Sequence, residues 1–305
     1  MSELTRRHLI AAGAALPLAG EALAADGAML SKPIPHGGER LPVIGIGTAI
    51  VFDYENDPAK QAERMGVIKA LADGGGKLID TAPSYGKAED RLGEVVQSTG
   101  TRNRLFIATK VAASQTREQQ TASMKASQQR LKTEKFDLMQ VWNVRTADYD
   151  LGLMREWKQQ GLCRHIGITS SFDRDYPALL EVLKREKPDF FQINYSLGDR
   201  DAEDQLLPAA RDAGCAVLTN GPFGRNSLFA RVRGAALPEF AKDIDVTSWA
   251  QFFLKYLVSH PTVTAVIPGT DKPEYMLDNL KAGRGRMPDA AMRKRMEDYW
   301  ASLPG

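Results

Sequence analysis

The chain has 305 residues, a formal net charge of +2, 43% hydrophobic and 26% charged residues, enough for one large globular domain or two small ones. A near-neutral balance without a long basic run gives no footprint for nucleic acid or an anionic membrane. Two cysteines exclude a disulfide scaffold, and four histidines leave little for a His-rich metal site.

In chain order, Arg6-Arg7 comes first, followed by the weakly apolar run 9–18 and the small-x-small pattern Ala22-Leu23-Ala24. This resembles a twin-arginine export signal. The run is about half of the roughly 20 residues that cross a bilayer, so a retained membrane helix is not expected. Cleavage after Ala24 by this reading leaves residues 25–305 as a single domain, delivered to the periplasm by the twin-arginine translocation machinery. A cytoplasmic chain with an uncut terminus is the alternative. Pro33, Pro35 and Gly37-Gly38 then suggest a small hairpin.

Beyond it, short β-branched runs alternate with longer amphipathic stretches. Strands are predicted at Val43–Gly47, Leu78–Asp80, Leu105–Thr109, Leu138–Trp142, His165–Thr169, Phe190–Asn194, Ala216–Thr219 and Val263–Ile267. Helices are predicted between them at Ala59–Ala72, Ala88–Gln97, Glu118–Lys132, Leu151–Gln160, Tyr176–Arg185, Ala202–Ala213 and Thr247–Val258. Pro273–Leu280 and Met287–Leu303 follow the last strand. Gly161, Gly214 and the Gly74–Gly76 run stand where helices should stop. Strands apolar almost throughout suit a parallel sheet buried on both faces. Repeated strand–helix units over about 250 residues predict an α/β fold of the (β/α)8 TIM-barrel type, with the hairpin closing its bottom.

Barrel chemistry sits at the carboxyl ends of the strands. Those ends carry Asp80 with Tyr85, Lys110, Trp142-Asn143, Thr169-Ser170-Ser171, Gln192 with Asn194, Asn220 and Thr270. A phenol with a pKa near 10 donates a proton poorly at neutral pH unless its anion is stabilised. A lysine ammonium within about 4 Å does that, and a carboxylate behind the lysine keeps it charged. The sequence therefore predicts Tyr85, Lys110 and Asp80 as a catalytic triad whose phenol is made more acidic. Phe52, Tyr54 and Trp142, with Phe172 and Phe223, lie near strand ends and suggest an aromatic substrate wall.

The segment Leu78-Ile79-Asp80-Thr81-Ala82-Pro83-Ser84-Tyr85-Gly86, with Glu89 and Leu92-Gly93, resembles the signature of the aldo-keto reductases. The likeness continues through Gly45-Ile46-Gly47-Thr48, Ile107-Ala108-Thr109-Lys110, Ile166-Gly167-Ile168-Thr169-Ser170, Gln192-Ile193-Asn194-Tyr195 and Ile267-Pro268-Gly269-Thr270. It implies a barrel that binds NADP(H) without a Rossmann fold and reduces an aldehyde or ketone, with Tyr85 as general acid tuned by Lys110 and Asp80. It also implies cofactor contacts from Thr48, Asp80, Ser170, Gln192, Asn220, Pro222, Thr270, Lys272 and Asn279. Ser170 and Gln192 would hold the carboxamide, and Asn279 would reach the adenine.

Two departures stand out. Trp142 occupies the place where the family usually has a histidine at the end of the fourth strand. An indole N–H can donate but cannot relay a proton, so an altered substrate range or slower turnover is expected. A nicotinamide-binding sensor or accessory protein with little catalysis is the alternative. Gly269 and Tyr275 stand at usual basic positions around the last strand–helix loop, which leaves NAD open beside NADP. Gly74-Gly75-Gly76-Lys77 lacks the order of a phosphate loop and reads as a turn. His36, His165 and His260 lack zinc spacing, Cys163 and Cys215 read as free thiols, and Arg293-Lys294-Arg295 reads as a solvated helix face.

Overall fold

The structure, a computed structural model, describes residues 27–35 and 37–304. The export signal at 1–24 and His36 lie outside the described residues. A two-stranded antiparallel hairpin, β1 (Ser31–Pro33) and β2 (Arg40–Pro42), precedes the main sheet. The sheet comprises β3 (Ile46–Gly47), β4 (Leu78–Asp80), β5 (Phe106–Ala112), β6 (Phe136–Trp142), β7 (Cys163–Thr169), β8 (Phe190–Asn194), β9 (Ala216–Asn220) and β10 (Val263–Val266). Its strands are parallel and neighbour one another in sequence order. Parallel bridges Ile44↔Val266 and Gly47↔Gly269 join the first strand to the last and close the ring. This is the expected (β/α)8 barrel.

The helices are α1 (Pro58–Asp73), α2 (Ala88–Thr99), α3 (Arg117–Arg130), α4 (Gly152–Gln159), α5 (Tyr176–Glu186), α6 (Leu206–Asp212), α7 (Ser227–Arg231), α8 (Trp249–Val258), α9 (Pro273–Lys281) and α10 (Ala290–Ser302). Local chemistry sets their starts. The Asp57 carboxylate accepts from the amides of Ala59 and Lys60 ahead of α1, and Thr116 with Gln119 forms a capping box at α3. The helix predicted over 202–213 is instead a 3₁₀ turn (Asp201–Glu203) followed by α6. Starting at Leu206 puts Pro208 in the first turn, where its missing N–H breaks no helical bond. Helix α7 was not anticipated from the sequence.

Apolar side chains form two compartments. One lies between the strands and the helix shell. The other fills the barrel interior with Leu78, Phe106, Leu138, Phe190 and Leu218, and is sealed below by Ile34 and Leu41 of the hairpin segment. The barrel is therefore solid up to the level of Leu78, Leu138 and Phe190. The next inward positions on the same three strands, two residues further along, are Asp80, Gln140 and Gln192, all at most 2% exposed. A polar floor thus lies directly on an apolar plug.

One expectation about the shell needs correction. Arg293 is not solvated: it is buried over the ring of Tyr256, 4.0 Å from the ring centre, and donates to the Tyr195 hydroxyl at 2.9 Å. Its neighbours Lys294 and Arg295 are exposed, as expected. Cys163 and Cys215 are free, as expected, and buried, and burial pushes both thiols up to about 12.

Candidate active site

Asp80 ends β4 and points into the mouth. Its Oδ1 lies 2.6 Å from Nζ of Lys110, which also donates to the carbonyl of Thr81 at 2.8 Å. Lys110 is inside β5, paired in register with Gln140, and not beyond the strand end as predicted. Pairing with β6 fixes the lysine backbone, and both charged groups are nearly inaccessible to solvent. Tyr85 follows β4 in two tight turns, its amide donating to Ala82 O and its carbonyl accepting from Ala88 N. The Asp53 carboxylate pins that loop by accepting from Lys87 N at 2.9 Å. Nζ of Lys110 sits 5.2 Å from the centre of the Tyr85 ring.

Burial opposes the Lys110 charge, but Asp80 and Tyr85 outweigh it and hold the ammonium above its ordinary range. Burial likewise raises the Asp80 carboxyl against the pull of Lys110. For Tyr85 the largest single influence is the Lys110 ammonium, which pulls the phenol down. Loss of hydration and the Asp80 charge together exceed that pull, so the hydroxyl ends above 10 and not below it. This corrects the expectation of a phenol made more acidic. The hydroxyl therefore holds its proton at neutral pH, beside a buried cation.

Several other predicted residues gather around this pair. Gln192 Nε2 donates to Asn220 Oδ1 at 2.6 Å, joining the ends of β8 and β9. Thr48 donates to the backbone carbonyl of Asp80 at 3.0 Å, so it steadies the end of β4. Ser170 donates to Asp175 Oδ2 at 2.7 Å and accepts from Phe172 N. After β10, Asn279 Nδ2 donates to Thr270 at 3.0 Å, both buried, and Lys272 stands at the N-terminal cap of α9. Pro222 is buried in the loop that leaves β9.

The aromatic wall is smaller than expected. Phe52 is fully buried in the shell core. Tyr54 donates to Gln61 on α1 at 2.6 Å, and the guanidinium groups of Arg64 and Arg91 each lie 5.7 Å from its ring centre, so it braces α1 against α2. Phe223 packs on Phe229, 4.8 Å between ring centres. Trp142, half-buried at the end of β6, and Phe172, 38% exposed, remain at the rim. Asn143 turns the chain there with φ of 58°, a left-handed position asparagine tolerates.

Part of the signature is structural. Glu89 is buried and accepts from Thr109, Ser127 and Arg130, tying α2 to β5 and α3. A Cβ at Gly93 would stand 2.1 Å from the Arg130 carbonyl, so only glycine permits that helix contact. Sequence reasoning missed Gln140, fully buried in the polar floor, and Arg64, whose guanidinium donates to the carbonyls of Val51 and Asp271 and braces the last loop. A polar residue at an inward position of an otherwise apolar strand was the available signal for Gln140.

The mouth offers a polar seat at Gln192 and Asn220 and, beside it after the neighbouring strand β10, Thr270, Lys272 and the N-terminus of α9, which suit a carboxamide and a phosphate respectively. Among the described residues no cluster of metal-ligating side chains occurs.

A family model for the aldo/keto reductase family matches residues 43–297. The chain is 28% identical over 249 residues to methylglyoxal reductase YeaE of Escherichia coli, covering 78% of this chain and 84% of that protein. The aldo-keto reductase of Klebsiella pneumoniae solved with NADPH superimposes with a TM-score of 0.74 at 22% identity, covering 89% and 96% of the two chains. The thermostable aldo-keto reductase Tm1743, solved with the inhibitor epalrestat, gives 0.73 at 28% identity, covering 88% and 99%.

Proposed function

Because the chain belongs to the aldo/keto reductase family, an NAD(P)-dependent oxidoreductase family, we propose that it reduces an aldehyde or ketone to an alcohol at the mouth of its barrel. The observation that carries this reading is the buried Asp80–Lys110 pair set against Tyr85. Bound NADPH supplies the hydride. The Tyr85 hydroxyl gives its proton to the carbonyl oxygen, Lys110 stabilises the phenolate that results, and Asp80 keeps the lysine charged and aimed. Gln192 and Asn220 seat the nicotinamide carboxamide, with Ser170 at the neighbouring strand end. Thr270, Lys272 and Asn279 hold the adenosine phosphate end, and Trp142 with Phe172 meets the apolar part of the substrate. Trp142 donates a hydrogen bond at most, so the carbonyl oxygen takes its proton from Tyr85 alone.

Fluorescence titration of the purified chain tests this reading. NADPH is expected to bind more tightly than NADH, because Lys272 and the α9 terminus receive the extra phosphate. Binding of neither nucleotide overturns the reading. The Arg6-Arg7 motif and Ala22-Leu23-Ala24 support export to the periplasm by the twin-arginine route. Cell fractionation should then find the enzyme outside the cytoplasm with Ala25 as its first residue; full-length cytosolic protein sinks the export proposal.

A further inference from the structure

We infer that Gln140 is a positioning residue that ties the Asp80–Lys110 pair to the Gln192–Asn220 pair, so that one hydrogen-bond chain sets both the proton-donating and the cofactor-holding sides of the mouth. The inference rests on the reading of the mouth as a carbonyl-reducing site.

Gln140 lies in the middle of β6 with no solvent exposure. Its Nε2 donates to Gln192 Oε1 at 2.5 Å and lies 3.4 Å from Asp80 Oδ1. These contacts give the amide a direction. Turning it over would set its oxygen against the Asp80 carboxylate and the Gln192 carbonyl, three acceptors with no proton among them. With its oxygen occupied, Gln192 has only N–H groups left to offer, and one of them goes to Asn220 Oδ1 at 2.6 Å. Asn220, half-exposed, then presents its own NH₂ group as the end of the chain. A row of amides anchored on a carboxylate thus delivers donors to the mouth, which suits the oxygen of a carboxamide.

Two further observations separate this role from packing. Gln140 Oε1 is buried and accepts no hydrogen bond among the described residues. An apolar side chain of the same length would fill the space without that unmet group, so volume alone does not account for glutamine here. Opposite it on β7 stands Gly167, where a Cβ would come within 3.1 Å of Gln140 Cγ and 3.0 Å of the Phe190 carbonyl. The missing side chain on β7 is the gap through which Gln140 reaches across to β8.

The test uses the full chain, NADPH as probe and fluorescence as readout. Gln140→Met, which keeps the volume and removes the donor, should weaken NADPH binding about 10-fold. In a Gln192→Met background the same change should add no more than about twofold, because the two residues act in series. Unchanged binding by Gln140→Met, or full multiplication of the two effects, overturns the inference. Failure of the unmutated chain to bind NADPH counts against the site reading itself. Gln140→Glu provides a second arm that does not depend on the methionine variant folding. Facing Asp80 and Lys110, its carboxyl can donate to Gln192 only when protonated, so the ratio of its NADPH Kd to that of the unmutated chain should fall as pH falls from 9 to about 5. A ratio that does not change with pH overturns the inference.

Discussion

Tyr85→Phe is expected to lower kcat for carbonyl reduction by about 10²–10⁴-fold while NADPH affinity stays within about twofold. The hydroxyl is the proposed proton source, and the ring that remains still fills its place beside Lys110. The pH dependence follows from the direction of the tyrosine shift. With its pKa raised above 10, the hydroxyl is protonated across the neutral range, so the reductive rate should stay flat there and fall only on the alkaline side above 10. Steady-state rates with a panel of aldehydes and ketones, paired with nucleotide titration, check both parts. A variant that retains most of its turnover removes Tyr85 from the chemistry. Native protein that binds NADPH yet turns over no carbonyl favours the sensor alternative, with Trp142 as its cause.

Lys110→Met should cost stability as well as rate. Breaking a buried ion pair from one side typically costs about 3–5 kcal/mol, because the partner charge is left without compensation. Here the stranded group is Asp80, with side chain 3% exposed and deprived of its contact at 2.6 Å. Asp80 is already raised by burial, and removing the cation raises it further. A carboxyl raised in the folded state binds its proton more tightly there than in the unfolded chain, so the deficit should shrink as pH falls through that raised range. Urea unfolding of the variant and of the Asp80→Asn, Lys110→Met double variant measures it. The double variant should recover much of the loss, since no buried charge is left alone. Equal stability of the single variant and the unmutated chain at neutral pH would show that the pair is not charged in the folded protein.

The strands that carry the site were legible because burial on both faces writes a continuous apolar run, and β4 and β8 match the expected bounds to the residue. Lys110 misled the boundary of β5: a charged residue looks like the end of a strand, whereas here it is inside one because Asp80 neutralises it. Phe52 and Tyr54 were misplaced for a different reason. Proximity to a strand end says where a residue is in the chain, not whether its side chain faces the mouth or the helices. Gln140 was hidden by its neighbours, since Leu138 and Val141 make the strand read as core. The direction of the Tyr85 shift could not be read from residue types at all. It depends on how closely an ammonium, a carboxylate and dry surroundings balance, which is a matter of distances.

The hairpin beneath the barrel has a consequence for the order of events during biogenesis. Gly27, Met29 and Leu30 run along the closed end, where Arg284 bonds Gly27 and Gly74, and Leu30 bonds Gly283. Whatever peptide precedes Gly27 is thus attached at the pole opposite the catalytic opening. Under the export proposal, folding of the barrel and loading of nucleotide at the mouth would therefore not have to wait for removal of the leader, because Gly27 stands at the other pole.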